Sequence, residues 1–493
     1  MKNKNEIGIF LKKIFEENWN DVFIIDSVTD TKFTYGDFFK KITKFKEKIT
    51  NLGVSRGDFL CLILDNSVDL AAIYFSSLLL GARTVPIDPL KGRDEIKEIL
   101  SHFSNKKIIC DEDSNARFFE GIHLNKLQVN SQENNNRDDL EKFTELNFDD
   151  TFLITFTSGS TGKQKGVMHS FNNLFQSAIS FQQKFNFNKN NTFLHNLPMT
   201  YMAGILNLLV LPLVSLSKIV IGSRTNISNI ATFWNTPIKY STNTFWLIPT
   251  ILDLLLKLDR GNNGATFTKN NNITICVGTS PLSVVTKKNF EEKYKVELFE
   301  SYGLSETLFV STNYLNYNKS SSVGKTLDGV EVKILADKEL AIKAPWMFQG
   351  YFNLNNNDYL DDKFFLSGDL GEIDAENFLY IVGRKKDIII KGGINLSPKK
   401  IEDMLNAMPE FNEVTVLGFP SKLLGEKTVC FCVTKKPLSM DNLKTINKKI
   451  VDSLGINYNI DEFINLDEIP KNLNGKVDKP KIRQMFSQKI NDS

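Results

Sequence analysis

Small hydroxyl residues, glycines and two lysines crowd into "TFTSGSTGKQKGVMHS", residues Thr155–Ser170, directly after an apolar run. Glycines let neighbouring backbone N–H groups turn toward one point without the steric cost of a Cβ atom. The hydroxyl groups add further donors, and Lys163 and Lys165 add positive charge. Such a loop suits a polyphosphate that is gripped and then released, although a Gly/Ser-rich surface turn has the same composition.

The loop is not a Walker A loop, whose pattern is GxxxxGK[ST]. After Gly159 the sequence reads STGKQ, so the lysine stands at the wrong spacing and no hydroxyl residue follows it. A GxGxxG dinucleotide fingerprint is also missing from the sequence. These patterns exclude a P-loop kinase or ATPase but leave a phosphate-binding loop.

Bulk composition narrows the class of protein. The 493 residues carry a net charge of +2, which gives no long-range attraction for nucleic acid. The four histidines lack metal-ligand spacing, and the five cysteines include no CxxC pair. We therefore expect a reduced, cytoplasmic protein without a zinc site, in which the cysteines are small apolar residues.

No segment predicts insertion into a membrane or secretion. The N-terminus lacks the continuous apolar core of a signal peptide. The longest apolar tract, Ile205–Ile221, is interrupted by Asn207, Pro212 and Lys218. It predicts a buried helix followed by a strand, and no integral membrane segment.

Helices and strands alternate around the loop. A helical stripe begins after Thr34 and stops at Gly53, "FLCLIL" at Phe59–Leu64 predicts a strand, and Ser67–Gly81 predicts another helix. This βαβ rhythm predicts an α/β fold with parallel-rich sheets covered by helices. The polar segment Gly261–Asn272 is typical of an exposed loop.

The local composition of the sequence changes near Gly383, where "GRKKDIIIKGG" contains five charged residues, three isoleucines and a glycine pair. Shorter strands and helices follow. We place a domain boundary at Lys386, with a large N-terminal domain over residues 1–385 and a small α+β domain over residues 386–493.

Five motifs in one order resemble the adenylate-forming superfamily, which includes acyl-CoA synthetases, free-standing adenylation domains and beetle luciferases. They are "TSGSTGKQKG", "SYGLSE" at Ser301–Glu306, "SGDLG" at Ser367–Gly371, "GRKKDIIIKGG" at Gly383–Gly393 and "PKNLNGK" at Pro470–Lys476. The resemblance covers nearly the whole chain. It implies that a carboxylate attacks the α-phosphorus of ATP to give acyl-AMP and pyrophosphate, and that a thiol then takes the acyl group.

The resemblance also implies an ATP site. The first motif would hold the β- and γ-phosphates through Thr157, Ser158, Gly159, Ser160, Thr161, Gly162, Lys163 and Lys165. Gln164 stands where the family often has proline, so we expect a slightly looser loop. In "SYGLSE", Tyr302 would stack on adenine, Ser305 would contact the α-phosphate and Glu306 would bind Mg²⁺.

The remaining nucleotide contacts follow from the same resemblance. Gly278, Ser280 and Gly303 would line the nucleotide. Asp369 would bond both ribose hydroxyls, with Arg384 beside it.

The resemblance implies that the C-terminal domain is mobile, with its hinge at Lys386. Lys476 would carry catalysis of adenylation, because a mobile ammonium offsets charge that builds in the transition state. After the domain swings, Gly392 and Gly393 would line the channel for the thiol of CoA. Many relatives have an acid where Ile394 stands, so the details of that channel stay open.

The acid itself is the least determined part. By resemblance the acyl pocket is lined by Tyr201, Ala203, Gly204, Trp246 and Ile248. These residues suit a hydrocarbon or aryl acid. Acetate-specific relatives have tryptophan where Gly303 stands, so we read Gly303 as open space for an acid larger than propionate, with closure of the pocket by Trp246 as the alternative.

Two other functions are compatible with the same residues. The acceptor thiol could be the phosphopantetheine of a carrier protein instead of CoA. The chain could also be a catalytically silent scaffold that binds nucleotide, although the joint presence of Lys165, Glu306, Asp369, Arg384 and Lys476 argues against it.

Overall fold

The protein is described by a computed structural model, which covers residues 6–111, 121–127, 137–158, 164–354, 363–421, 423–472 and 476–491. The helices of these residues are α1 (Glu6–Glu17), α2 (Tyr35–Asn51), α3 (Val68–Leu80), α4 (Arg93–Ser101), α5 (Phe171–Phe185), α6 (Leu211–Val214), α7 (Asn235–Tyr240), α8 (Pro249–Leu258), α9 (Asn263–Asn270), α10 (Val284–Tyr294), α11 (Pro398–Asn406), α12 (Met440–Leu454) and α13 (Lys479–Asn491).

The strands in the first half of the chain are β1 (Val22–Asp26), β2 (Thr31–Thr34), β3 (Phe59–Ile63), β4 (Arg83–Pro86), β5 (Lys106–Cys110), β6 (Ile122–His123), β7 (Thr151–Ser158), β8 (Gln164–Ser170), β9 (Thr192–His195), β10 (Lys218–Ile221) and β11 (Thr244–Leu247). Those that follow are β12 (Thr274–Val277), β13 (Leu298–Leu304), β14 (Leu308–Thr312), β15 (Lys325–Thr326), β16 (Glu331–Ile334), β17 (Glu339–Lys343), β18 (Gly350–Tyr351), β19 (Phe365–Ile373), β20 (Leu379–Arg384), β21 (Ile389–Lys391), β22 (Ile394–Leu396), β23 (Phe411–Ser421), β24 (Gly425–Thr434) and β25 (Glu462–Asn465).

Two large sheets form the body of the molecule. A nine-stranded sheet has the order β15-β14-β13-β12-β11-β9-β10-β1-β2 and is parallel from β13 to β1. A seven-stranded sheet has the order β18-β8-β7-β4-β3-β5-β6 and is parallel from β7 to β6. The predicted α/β architecture with parallel-rich sheets is confirmed.

Two smaller sheets complete the described fold. An antiparallel sheet of order β16-β17-β19-β20 ends at Arg384. The last sheet begins at Ile389 and has the order β22-β21-β24-β23, with β25 parallel to β24. Helices α11, α12 and α13 accompany this last sheet, which has apolar clusters of its own.

Helix boundaries follow the capping residues in the sequence. The Thr34 side chain caps α2 in a capping box with Asp37, and Ser170 does the same for α5. Ser67 caps α3, which ends at Gly81 in the left-handed conformation at φ +68°. The apolar faces of α2 and α3 enter the main core, so burial supplies most of their stability.

Two segments differ in detail from the sequence predictions. The apolar tract from Ala203 begins as a π-helical stretch, Ala203–Val210, before α6 and β10. The segment Gly261–Asn272, expected to be a loop, contains α9, so that prediction is wrong. Within the described residues, no helix combines the length and apolar character needed to cross a bilayer.

Candidate active site

Three side chains from two sheets meet at Asp369. Its Oδ2 accepts a hydrogen bond from the Tyr302 hydroxyl at 2.8 Å, and its Oδ1 lies 2.7 Å from Arg384 Nε. Asp369 and Arg384 are also cross-strand partners on β19 and β20, whereas Tyr302 comes from β13. The nine-stranded sheet and the antiparallel sheet therefore join at this carboxylate.

The Asp369 carboxylate is only 3% exposed, and its surroundings set its charge. Burial raises the pKa of Asp369, while the charge of Arg384, the Tyr302 hydroxyl and the charge of Lys476 oppose that rise. Burial and the same carboxylate raise the pKa of Tyr302, which keeps it a neutral donor. The structure thus brings Lys476 within electrostatic reach of Asp369.

Lys476 sits in a short backbone turn. Its N–H donates to the side-chain oxygen of Asn472 at 3.0 Å, and the Asn472 N–H donates back to the Lys476 carbonyl at 2.8 Å. The bridge between Lys471 and Val477 closes the same turn. The backbone around Lys476 is therefore held in a closed turn between β25 and α13.

A second cluster surrounds Glu306, in the turn between β13 and β14. The Tyr351 hydroxyl donates to Glu306 Oε1 at 2.9 Å, and Lys165 Nζ lies 4.6 Å from the centre of the Tyr351 ring. Burial raises the pKa of Glu306, and the Tyr351 hydrogen bond and the positive charges of Arg384 and Lys165 oppose this. The structure thus brings Glu306 and Lys165 together on either side of Tyr351.

Ser305 is held through its backbone. Its carbonyl oxygen lies 2.6 Å from Nε2 of His169, which is fully buried on β8. Burial lowers the pKa of His169 to about 4, so the ring is neutral near pH 7. Because a carbonyl only accepts, Nε2 carries the proton.

His169 and Tyr351 were not predicted as site residues. His169 lies in the quoted glycine-rich stretch, four residues after Lys165, and its position on the strand that carries the lysine was the available signal. Tyr351 is 45 residues from Glu306 and no sequence pattern joins them.

The two arms of the phosphate loop belong to one hairpin. On β7 and β8, Thr157 pairs with Lys165 and Ser158 pairs with Gln164. The predicted loop residues between these arms lie outside the described residues: Gly159, Ser160, Thr161, Gly162 and Lys163. Their roles stay predictions.

Gly278 and Ser280 follow the carboxyl end of β12, beside β13 and Tyr302. A Cβ at Gly278 would lie 3.2 Å from the Ser301 carbonyl oxygen and 3.5 Å from the Trp246 ring. Ser280 is half-buried. Since parallel strands end together at this edge, these residues lie where α/β sheets commonly bind ligands.

The predicted acyl-pocket residues lie on β11 or in the segments that follow the neighbouring strands β9 and β11. Trp246 is 3% exposed and packs on Phe181 and Phe309. Ala203 is buried, while Tyr201 and Ile248 are half-buried. A Cβ at Gly204 would lie 2.0 Å from the Pro198 carbonyl oxygen, so the backbone alone requires glycine there.

Gly303 requires a correction. A Cβ at this position would lie 2.0 Å from the carbonyl oxygen of Leu308, which has a positive φ of 54°. The tight turn therefore demands glycine, so the presence of glycine at position 303 does not itself indicate open space for a longer acid. The alternative, in which the buried Trp246 closes the pocket, is therefore favoured.

The residues around Lys386 are anchored on two sides. Lys385 Nζ lies 2.7 Å from carboxylate oxygens of both Asp337 and Glu339, next to and on β17. Asp387 Oδ2 lies 2.8 Å from Lys479 Nζ at the start of α13. Lys386 is thus the residue between an attachment to the antiparallel sheet and an attachment to the C-terminal helix.

Gly392 and Gly393 form the two-residue turn between β21 and β22. Their φ angles are +57° and +79°, which favour glycine, and a Cβ on either would meet no described atom within 4 Å. Both residues are exposed in this arrangement. The structure does not bring them into the Asp369 cluster, and their role in a thiol channel stays a prediction.

The residues around Glu306 could bind Mg²⁺ only if substrate phosphate supplied further ligands. No group of three His, Cys, Asp or Glu side chains within the described parts of the chain could hold a metal ion by itself. Mg²⁺ typically takes one or two protein carboxylates and completes its shell with substrate phosphates and water. Glu306, beside Lys165, is a donor of that kind.

Comparison with known proteins confirms the predicted resemblance to AMP-binding, adenylate-forming enzymes. The chain belongs to the AMP-binding enzyme family, whose model matches residues 12–352, and the model of the AMP-binding enzyme C-terminal domain matches residues 400–476.

Among similar proteins, the long-chain-fatty-acid–CoA ligase FadD13 of Mycobacterium tuberculosis is 25% identical over 497 residues, covering 94% of this chain and 95% of that protein. The 2-succinylbenzoate–CoA ligase of Bacillus subtilis is 25% identical over 462 residues, covering 91% and 92%.

Solved structures show the same fold. ATP-bound MatB from Rhodopseudomonas palustris superposes with a TM-score of 0.84 at 21% identity, covering 98% of this chain and 99% of that one. The o-succinylbenzoate CoA synthetase MenE from Bacillus subtilis, in complex with ATP and magnesium ion, superposes with a TM-score of 0.81 at 24% identity, covering 96% and 99%.

Proposed function

We propose that this enzyme joins a hydrocarbon or aryl carboxylic acid, larger than propionate, to CoA by way of an acyl-AMP. The observation that carries the proposal is the convergence on one site of Tyr302, Asp369 and Arg384 with the charge of Lys476. Relatives named as ligases of fatty acids and of 2-succinylbenzoate support a CoA acceptor and a sizeable acid.

In the first half-reaction, an oxygen of the acid attacks the α-phosphorus of ATP, and the bond to the bridging oxygen of pyrophosphate breaks. Asp369 accepts from the ribose hydroxyls and Tyr302 lies under the adenine. Lys476 donates to the reacting carboxylate and α-phosphate, where negative charge builds. When bound at Glu306, Mg²⁺ would neutralise phosphate charge.

In the second half-reaction, the sulfur of CoA attacks the acyl carbonyl carbon, and the bond to the AMP oxygen breaks. The thiol proton leaves to solvent and AMP departs. We propose that the C-terminal domain turns about Lys386 between the steps, which would bring Gly392 and Gly393 to the thiol. The anchoring of Lys385 and Asp387 to different parts of the molecule supports a pivot at that residue.

Pyrophosphate release tests the proposal most directly. The enzyme is given ATP, Mg²⁺ and single acids from a panel of short, fatty and aryl acids. Release that depends on one class of acid supports adenylation, whereas no release with any acid would favour a silent scaffold. Thioester formation is then measured with CoA and with a phosphopantetheinylated carrier protein, and a preference for the carrier protein would overturn CoA as the acceptor.

A further inference from the structure

Gln164, the first described residue after the phosphate loop, makes a contact that proline could not make. Its side-chain Nε2 donates to Glu95 Oε1 at 2.6 Å, across from β8 to α4. Glu95 also pairs with Lys91 one turn earlier in the chain. A polar link therefore joins the exit of the loop to a neighbouring helix.

The orientation of the Gln164 amide is fixed by chemistry. Its Oε1 is buried and makes no hydrogen bond within the described part of the chain. Because the carboxylate of Glu95 only accepts, the amide nitrogen must face it. The contact is charge-assisted, and such hydrogen bonds are stronger than neutral ones.

Helix α4 is a firm anchor for this link. Its apolar side belongs to a buried cluster with Ile154 of β7, and Phe103, just beyond the helix, makes an edge-on ring contact with Phe156 at 5.9 Å. The helix therefore packs on the same hairpin that ends at Ser158 and Gln164. A side chain held by α4 is held relative to the whole seven-stranded sheet.

Strand geometry connects the link to the site. Adjacent side chains of a strand point to opposite faces, so Gln164 turns toward α4 while Lys165 turns toward Tyr351. Tyr351 donates to Glu306. Fixing the backbone at Gln164 therefore fixes the neighbouring lysine beside the carboxylate predicted to bind magnesium.

We propose that Gln164 is a positioning residue for ATP: through Glu95 it holds the end of the β7–β8 hairpin so that Lys165 meets the phosphates. This inference rests on the proposed function. From the sequence alone we expect a looser loop at this position. Under this proposal the hydrogen bond from Gln164 to Glu95 restrains the backbone in place of the rigid proline ring.

The test is a set of variants measured for ATP affinity by direct titration and for KM of ATP and of the acid in pyrophosphate release. Gln164→Leu keeps the size of the side chain but removes the donor. We expect its ATP affinity to fall roughly tenfold, the typical loss for a hydrogen bond to a charged group, with the KM of the acid unchanged. The ATP affinity of Glu95→Gln should fall less, because the amide oxygen introduced at position 95 still accepts a hydrogen bond from Gln164.

Exchange of the two groups separates positioning from simple structural damage. Gln164→Glu alone places two carboxylates in contact and should weaken ATP binding most. Combined with Glu95→Gln, the amide introduced at position 95 donates to the carboxylate introduced at position 164, so ATP affinity should recover. Failure of the pair to recover would overturn the tether.

The control is Gln349→Leu. Gln349 accepts from Thr151 and donates to the Asp149 carbonyl at the opposite end of the same hairpin. Gln349→Leu should leave ATP affinity unchanged. If ATP affinity fell as far in Gln349→Leu as in Gln164→Leu, the specific role of Gln164 would be overturned. If Gln164→Leu binds ATP as tightly as the wild-type protein, the tether alone is overturned. If the wild-type protein neither binds ATP nor releases pyrophosphate, the proposed function is overturned as well.

Discussion

At the scale of single residues, the role proposed for Lys476 distinguishes the two half-reactions. We expect Lys476→Ala to lower acyl-AMP formation by two or more orders of magnitude, because the ammonium is needed where charge builds in the transition state. Thioester formation from supplied acyl-AMP should change far less. Both rates are measured by single-turnover assays.

A matched lysine provides the control for this prediction. Lys481 is exposed on α13, five residues further along the chain. Lys481→Ala should leave both half-reactions intact. Equal loss of both half-reactions in Lys476→Ala would mean that this lysine supports the fold instead of the chemistry.

Tyr302 gives a second prediction, on pH dependence. Burial already raises the pKa of Asp369, and the Tyr302 hydroxyl counteracts that rise by donating to the charged form. Tyr302→Phe removes the donor, so the pKa rises further and less carboxylate is ionised at a given pH. The acid limb of kcat/KM for ATP should therefore move to higher pH.

Tyr380→Phe is the matched control for the pH profile. Tyr380 donates to Asp374 at 3.0 Å on the same antiparallel sheet, away from Asp369. Its loss should not displace the acid limb. A limb that stays in place in Tyr302→Phe would show that ionisation of Asp369 does not govern ATP use.

The paired residues of this site could be predicted only where a sequence motif contains them. Asp369 and Arg384 come from two motifs, and the structure places them side by side. No motif contains Tyr351, and the motif around Lys385 does not indicate its partner, because Glu306 and Glu339 are distant in sequence from the residues that they contact. Contacts that depend on how sheets meet leave no local pattern.

At the scale of elements, the hinge can be tested through its backbone. Proline at Lys386 fixes φ near −65° and should hinder rotation. We expect Lys386→Pro to keep most of its adenylation rate and to lose thioester formation by tenfold or more. The two rates are compared after thermal unfolding has verified that the variant folds.

Lys386→Ala keeps the freedom of the backbone and serves as the comparison. It should retain both half-reactions, because Lys385 and Asp387 keep the flanking anchors. Full-rate thioester formation in the proline variant would place the pivot elsewhere.

Element boundaries were predictable where a side chain closes the helix. The predicted helices after Thr34 and Ser67 begin at those capping residues, and Ser170 caps α5 in the same way. Helix α9 was missed because its Asn, Gly and Thr residues have loop-like composition, whereas burial of Gly264 and Thr268 and packing of Phe267 on the main core hold it in place. The π-helical turn at Ala203 was also invisible, because apolar periodicity does not resolve one extra residue per turn.

At the scale of the whole molecule, the acid pocket predicts a trend along a homologous series. Each buried methylene contributes about 0.8 kcal/mol, roughly fourfold in affinity. With straight-chain acids longer than propionate, kcat/KM should rise by about that factor per carbon before it levels off. An enzyme that prefers acetate to every longer or aromatic acid would contradict the proposed size of the substrate.

Gly278→Ala is the variant that probes this pocket, in place of a change at Gly303. The added methyl group would lie beside Trp246 with only a small adjustment against the Ser301 carbonyl. Long acids should lose more kcat/KM than short ones. A uniform loss across the series would show that the methyl group disturbs nucleotide binding instead.

The anchors on both sides of Lys386, which tie Lys385 to the antiparallel sheet and Asp387 to α13, bear on the order of events in time. If the C-terminal domain turns about Lys386 as proposed, Lys476 and the Gly392–Gly393 turn would reach the site in succession. Pyrophosphate would then depart before CoA reacts. Double-reciprocal plots of rate against ATP, at several fixed CoA concentrations and saturating acid, should give parallel lines, and lines that intersect would show that both faces act at once.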